Sequence, residues 1–288
     1  MATKEYPVIW LQAAGCTGCS VSALNAVSPK IKNLLLDEIV PGKHINLRFQ
    51  ATIMAGEGEP VIEVLRDTQK EKKGEYILIV EGAIPTAAGG IYGSIGEEGG
   101  KPATILKRVE DLGRDAQMTI ALGSCAAYGG IPAAKPNPTG CQGVKEVFEN
   151  KKIKTLVINL PGCPMHPDWF LGTISMILLS GTSLDLDEIA RPKLFYGKLI
   201  HENCPRRAAF DKGKFAEALG EEGCLYKLGC KGHYTYADCP LRQWNNGLNW
   251  CIKAGSPCLG CVEPEFPDLT SPFYEKITWE DVKCKNCM

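Results

Sequence analysis

No apolar run in these 288 residues reaches the roughly 18–20 needed to span a membrane. Positive charge is not in excess either: the net charge is −1, which excludes the basic field that nucleic-acid binding requires. No export leader precedes the first apolar segment, so the chain reads as cytoplasmic; a mature periplasmic protein joined to a new Met would look the same. Internal repeats and low-complexity segments are lacking. The Gly-rich stretch 87–100 has no Gly-Lys-Ser/Thr, which excludes a Walker phosphate loop; its place after the third expected strand suggests rim architecture or a partner contact. No Ser-His-Asp arrangement or carboxylate pair stands out, so no residue is assigned a catalytic role.

What the chain has in quantity is cysteine, 14 residues. Without a leader, that number argues against a disulfide framework, because the cytosol is reducing. A chain of this length also has no need of covalent staples. Metal ligation is the better reading.

The first 180 residues or so alternate short apolar runs with amphipathic stretches. Strands are expected at 7–12, 45–51, 76–82, 118–123 and 155–160, rich in Val, Ile and Leu as strands buried on both faces should be. Helices are expected at 20–26, 60–72, 103–113, 142–150 and 168–180, with a restart at Ser28-Pro29, where Ser suits the N-cap and Pro the first helical position. Five alternating units imply an α/β fold, a flavodoxin-like doubly wound parallel sheet over 1–185. From about residue 186 to 288 periodicity fades into a mostly irregular C-terminal domain, with helix plausible only around 213–219. Nine of the 14 cysteines lie there, from Cys204 to Cys287. A region with so little core usually needs metal to hold it together.

Cys16 and Cys19 follow the first expected strand in Gly15-Cys16-Thr17-Gly18-Cys19, Cys125 the fourth, and Cys163 the fifth. Strands of a parallel sheet end on one edge, where such folds bind ligands, so four thiols distant in sequence meet on one rim. Four thiolates suit zinc or an iron–sulfur cluster. Gly15, Gly18, Gly123 and Gly162 flank them and allow close backbone approach. Cys19 also falls at a helix N-terminus, which favours thiolate and an anionic cluster. These details favour the cluster over zinc or four buried thiols.

A second set is His201, Cys204, Cys224 and Cys230. Neutral imidazole in place of one thiolate makes a cluster less negative and raises its potential; a Cys₃His zinc site fits the same residues. A third set is Cys239, Cys251, Cys258 and Cys261, with Trp244, Trp250 and Phe266 nearby as shields from water or simply as core. Cys141, in a Pro/Gly-rich loop, reads as a spare thiol, and Cys284 and Cys287 at the tail as a free or oxidisable pair. His44, His166 and His233 read as surface or loop hydrogen-bonding residues, His166 close enough to Cys163 to bond near its site.

Six motifs, in order, resemble those of the small subunit of [NiFe] hydrogenases. They are Gly15-Cys16-Thr17-Gly18-Cys19-Ser20, the stretch from Gly123-Ser124-Cys125 to Pro138-Thr139-Gly140, Pro161-Gly162-Cys163-Pro164-Met165-His166-Pro167, His201-Glu202-Asn203-Cys204-Pro205, Gly229-Cys230-Lys231-Gly232, and Pro257-Cys258-Leu259-Gly260-Cys261-Val262-Glu263-Pro264. The resemblance covers nearly the whole chain. It implies three [4Fe-4S] clusters: proximal on Cys16, Cys19, Cys125 and Cys163; medial on Cys239, Cys251, Cys258 and Cys261; distal on His201, Cys204, Cys224 and Cys230. The Ni–Fe centre would sit in a separate large subunit. This chain would carry electrons from it to an external electron carrier or redox protein near the distal cluster, as the non-catalytic part of a heterodimeric hydrogenase.

Two positions refine the resemblance. Many members have Pro where this chain has Cys251, and a [3Fe-4S] medial cluster; a fourth thiolate here implies [4Fe-4S] and a lower potential, as in the nickel–iron–selenium branch. Oxygen-tolerant members carry extra cysteines at the positions of Gly18 and Gly130, so an ordinary proximal cluster is implied. The tail Lys283-Cys284-Lys285-Asn286-Cys287 stands where membrane-anchored members often carry an apolar helix, which suggests a soluble enzyme and a tail that touches its electron acceptor. The rivals are a cluster-bearing subunit of another redox complex, of the respiratory quinone-reducing type, and a zinc-stabilised binding scaffold. The former typically has adjacent cysteines and one cluster, unlike Cys16 and Cys19 with eight further ligands.

Overall fold

Apolar runs too short to bury themselves alone pair side by side. In the computed structural model, which describes residues 3–276, five of them form one parallel sheet. The strands are β1 (Lys4–Gln12), β2 (Lys43–Gln50), β3 (Ile77–Glu81), β4 (Met118–Leu122) and β5 (Val157–Leu160), in the order β2-β1-β3-β4-β5. This is the flavodoxin-like order, with its switch point between β1 and β3. Register runs without a shift from Val8 opposite Ile77 to Gln12 opposite Glu81, and from Ile77 opposite Met118 to Glu81 opposite Leu122. Every residue of β3, β4 and β5 is buried, as helices on both faces require.

The crossovers contain α1 (Gly18–Leu24), α2 (Ile31–Leu36), α3 (Glu59–Glu71), α4 (Ile105–Asp115), α5 (Gly123–Tyr128) and α6 (Val144–Asn150), and α7 (Pro167–Ser180) follows β5. Helix α4 is capped by Thr104, whose Oγ1 accepts from Lys107 N–H at 3.1 Å, and buries Val109 and Leu112 against the sheet's core. Helix α2 departs from expectation. Ser28 and Pro29 lie outside it, and Lys30 takes the cap position because Asn33 Oδ1 accepts from Lys30 N–H at 3.0 Å. The end of the Gly-rich stretch forms a small antiparallel ribbon with the residues that follow it, Ser94–Glu98 pairing with Lys101–Thr104.

The described residues divide into two compact units, 1–193 and 194 onward. The second unit contains only short helical pieces, among them α8 (Arg207–Asp211) and α9 (Cys239–Arg242). The helix expected at 213–219 is absent. Gly213, at φ +67°, ends α8 instead of starting a helix, and Lys214 N–H folds back onto Ala209 C=O at 2.8 Å. The core here is small, built from Ile200, Leu225, Leu228, Trp250, Ile252, Val262 and Phe266.

Candidate metal centre

Four strand-end loops are joined into one rim by hydrogen bonds. After β1 and β3, Ala14 and Ala83 exchange a reciprocal pair at 2.9 and 2.8 Å, and a Cβ on Gly15 would stand 3.1 Å from Gly82 Cα. After β4 and β5, Ser124 N–H donates to Gly162 C=O at 3.0 Å, and Gly162 N–H donates to Ser124 Oγ at 2.8 Å. Ser22 Oγ–H donates to Met165 C=O at 2.7 Å, which ties α1 to the Cys163 loop. Thr17, the residue before α1, is held at φ +59°, a costly conformation for a β-branched side chain, between Cys16 and Cys19.

Cys16, Cys19, Cys125 and Cys163 come together on this rim. Burial pushes the Cys19 thiol far up; a Met165 backbone hydrogen bond opposes it, and the charges of Glu81, Cys125 and Cys163 add to it. Burial, then Cys163 and Cys16, push Cys125 up to about 11. Burial and Cys16 raise Cys163. A Cβ on Gly123, at φ +86°, would collide with Cys19 Sγ. One on Gly130 would fall 2.9 Å from the Cys125 backbone and 3.1 Å from its Sγ, and one on Gly18 3.1 Å from Cys16 Sγ. Glycine is what leaves room beside these sulfurs.

The second set lines one small pocket: His201, Cys204, Cys224 and Cys230, closed by Ile200, Arg206, Leu225 and Ile252. Burial lowers the His201 pKa and so favours the neutral imidazole that a metal needs. Burial raises Cys204, and it pushes Cys224 up to about 11. In the third set, burial drives Cys239 and Cys258 well above the thiol range; Cys239 also senses Cys261 and Cys251, and Cys258 senses Cys230, Cys261 and Cys239. Gly260 N–H points at Cys258 Sγ from 3.5 Å. Trp250 and Phe266 are buried.

Thiols with raised pKa values hold their protons until a metal displaces them. Among the described residues, no group of three or more His, Cys, Asp or Glu side chains closes around a single ion. The thiol-rich donor chemistry and the glycine-lined space beside the sulfurs fit an iron–sulfur group.

The other candidates fall elsewhere. Cys141 is buried outside these sets, its Sγ 3.2 Å from Thr139 Oγ1. His166 is buried and caps α7, its Nδ1 accepting from Asp168 N–H at 3.1 Å. His44 Nε2 meets Leu35 C=O at 2.9 Å, and His233 Nδ1 meets Cys230 C=O at 3.2 Å. Cys284 and Cys287 lie outside the described residues. Glu81 was not singled out by sequence. It is buried at the end of β3 and accepts from Ser20 Oγ–H (2.5 Å), Ser20 N–H (2.9 Å) and Trp10 Nε1–H (3.1 Å). A carboxylate closing an all-apolar strand just before Gly82 was the available signal.

Comparison with known proteins agrees with this layout. Residues 196–274 match the family described as the C-terminal part of the NiFe/NiFeSe hydrogenase small subunit, and residues 16–177 the one described as NADH ubiquinone oxidoreductase, 20 Kd subunit. The periplasmic [NiFeSe] hydrogenase small subunit of Desulfomicrobium baculatum is 47% identical over 282 residues, covering 94% of this chain and 87% of that protein. The periplasmic [NiFe] hydrogenase small subunit of Solidesulfovibrio fructosivorans is 43% identical, covering 96% and 84%. The crystal structure of a reduced, active form of the Ni-Fe-Se hydrogenase from Desulfomicrobium baculatum superposes with a TM-score of 0.89 at 47% identity, covering 95% of this chain and 100% of that one.

The cytoplasmic expectation is corrected by these findings, since both relatives are named periplasmic and point to that compartment. Thiols committed to metal are not free to oxidise, and leaders are cleaved from exported proteins, so neither feature used for that expectation reports the compartment. No helix among the described residues is long and apolar enough to cross a membrane.

Proposed function

Since the chain belongs to the small subunits of the NiFe and NiFeSe hydrogenases, we propose that it relays electrons between the Ni–Fe site of a large subunit and an external carrier, through three [4Fe-4S] clusters, during reversible H2 oxidation. When bound, such clusters supply one-electron oxidation and reduction at potentials set by ligands and surroundings. Cys16, Cys19, Cys125 and Cys163 hold the proximal one, within a domain of residues 1–185. Cys239, Cys251, Cys258 and Cys261 hold the medial one, and His201, Cys204, Cys224 and Cys230 the distal one, within residues 186–288. The observation that carries this reading is the rim, where loops after β1, β4 and β5 deliver four thiols to one place.

The chain's own residues do the rest. The glycines admit a bulky group, and Trp250 and Phe266 limit water near the third set. Cys16 and Cys163 are exposed, and α1 beside them exposes Val21 (54%) and Leu24 (53%). An apolar surface around a redox rim suits a permanent partner, the large subunit. In this reading the external carrier docks near the distal set. The respiratory quinone-reductase reading draws on the match over 16–177 but leaves the eight candidate ligands beyond residue 200 without a role.

Metal analysis of the purified complex tests the proposal. About twelve irons in this chain, from three four-iron clusters, are expected, with co-purification of a nickel-containing large subunit and hydrogen uptake. Stoichiometric zinc with little iron would overturn it.

A further inference from the structure

The second and third cysteine sets share a seam. Cys258 N–H points at Cys230 Sγ from 3.4 Å, so a residue of one set donates to a thiol of the other. One residue on, Lys231 N–H donates to Cys258 C=O at 2.8 Å. Lys231 C=O in turn accepts from Thr235 Oγ1–H at 2.6 Å and Tyr234 N–H at 3.2 Å, which fixes its backbone. Its side chain leaves against the Cys258–Cys261 loop: a Cβ on Gly260 would lie 3.4 Å from Lys231 Cβ. The side chain is half-buried.

We propose that Lys231 is a shared tuning residue, whose one positive charge raises the reduction potentials of both the medial and the distal clusters. The proposal rests on the cluster assignment above. A cluster becomes more negative on reduction, so a nearby cation stabilises its reduced form. A half-buried charge is screened less than one in open water. Because Lys231 stands at the seam, its charge moves both potentials in one direction and leaves the step between them nearly constant.

The test is a redox titration of the complex, followed by electron paramagnetic resonance, on wild type, Lys231→Met and Lys231→Arg. Methionine keeps an apolar stem without charge; arginine keeps the charge. Both potentials fall in Lys231→Met and stay near wild type in Lys231→Arg. Unchanged potentials in Lys231→Met, a shift of one cluster only, an equal shift of all three, or an equal shift in the arginine variant would overturn the proposal. If Lys231→Met loses iron, Lys231→Gln is titrated in its place. Iron loss from both neutral variants would assign Lys231 to cluster retention and overturn the tuning role. Wild-type iron content tests the cluster assignment separately, so the two failures are distinguishable.

Discussion

Gly123 sits at φ +86° behind Cys19, in a conformation that favours glycine and with no space for a methyl group. Gly123→Ala is expected to displace Cys19 and lower the iron content by about four per chain, read by metal analysis, with the other two clusters retained. Cys251 gives the complementary test at the third set. Cys251→Pro removes one thiolate, so the oxidised protein is expected to show a three-iron resonance that wild type lacks. Absence of that signal in the variant would show that Cys251 is not a ligand. Both residues stood out in the sequence, but for different reasons. Cys251 was notable as a thiol. Gly123 was notable only as a neighbour of Cys125, and its contact with Cys19 comes from the packing of α5 beside α1's loop.

At the level of the element, α1 is held by a carboxylate from another strand. Three donors converge on Glu81, and Ser20 Oγ also accepts from Gln12 (3.2 Å) and Gln50 (3.1 Å) side-chain amides. Glu81→Ala leaves buried donors unpartnered and is expected to cost about 3 kcal/mol, at about 1 kcal/mol or more for each unmatched donor. Glu81→Gln keeps an acceptor and is expected to cost about half as much. Denaturant midpoints at constant slope check both. Equal stability of wild type and Glu81→Ala would mean that α1 is held by packing alone. The strands were legible in the sequence because fully buried parallel strands are continuous apolar runs. Helix ends were less so. Gly213 and Ser28-Pro29 carry signals compatible with either side of a boundary, and which applies depends on the hydrogen bonds available.

Across the molecule, the two units differ in what holds them. The first has an extensive apolar core spanning Ile9 to Val157. The second has few buried apolar side chains and eight candidate ligands, so metal binding is expected to be much of its folding free energy. Iron removal under anaerobic chelation is therefore expected to abolish amide-exchange protection within residues 194–276 while Ile77–Glu81 and Met118–Leu122 stay protected. Equal loss in both units would show that the sheet also depends on metal.

Residue type and spacing were enough to specify a doubly wound sheet and to single out three groups of four candidate ligands, because burial on both faces and metal chemistry each select a narrow set of side chains. The tertiary structure decided which groups stand near one another. It sets Cys141 apart although it follows Cys125 by 16 positions. It buries Glu81 beside the Cys16–Cys19 loop and puts Lys231 at the seam of two cysteine sets. Such proximity follows from strand order and loop packing between residues far apart in the chain, and no local pattern encodes it.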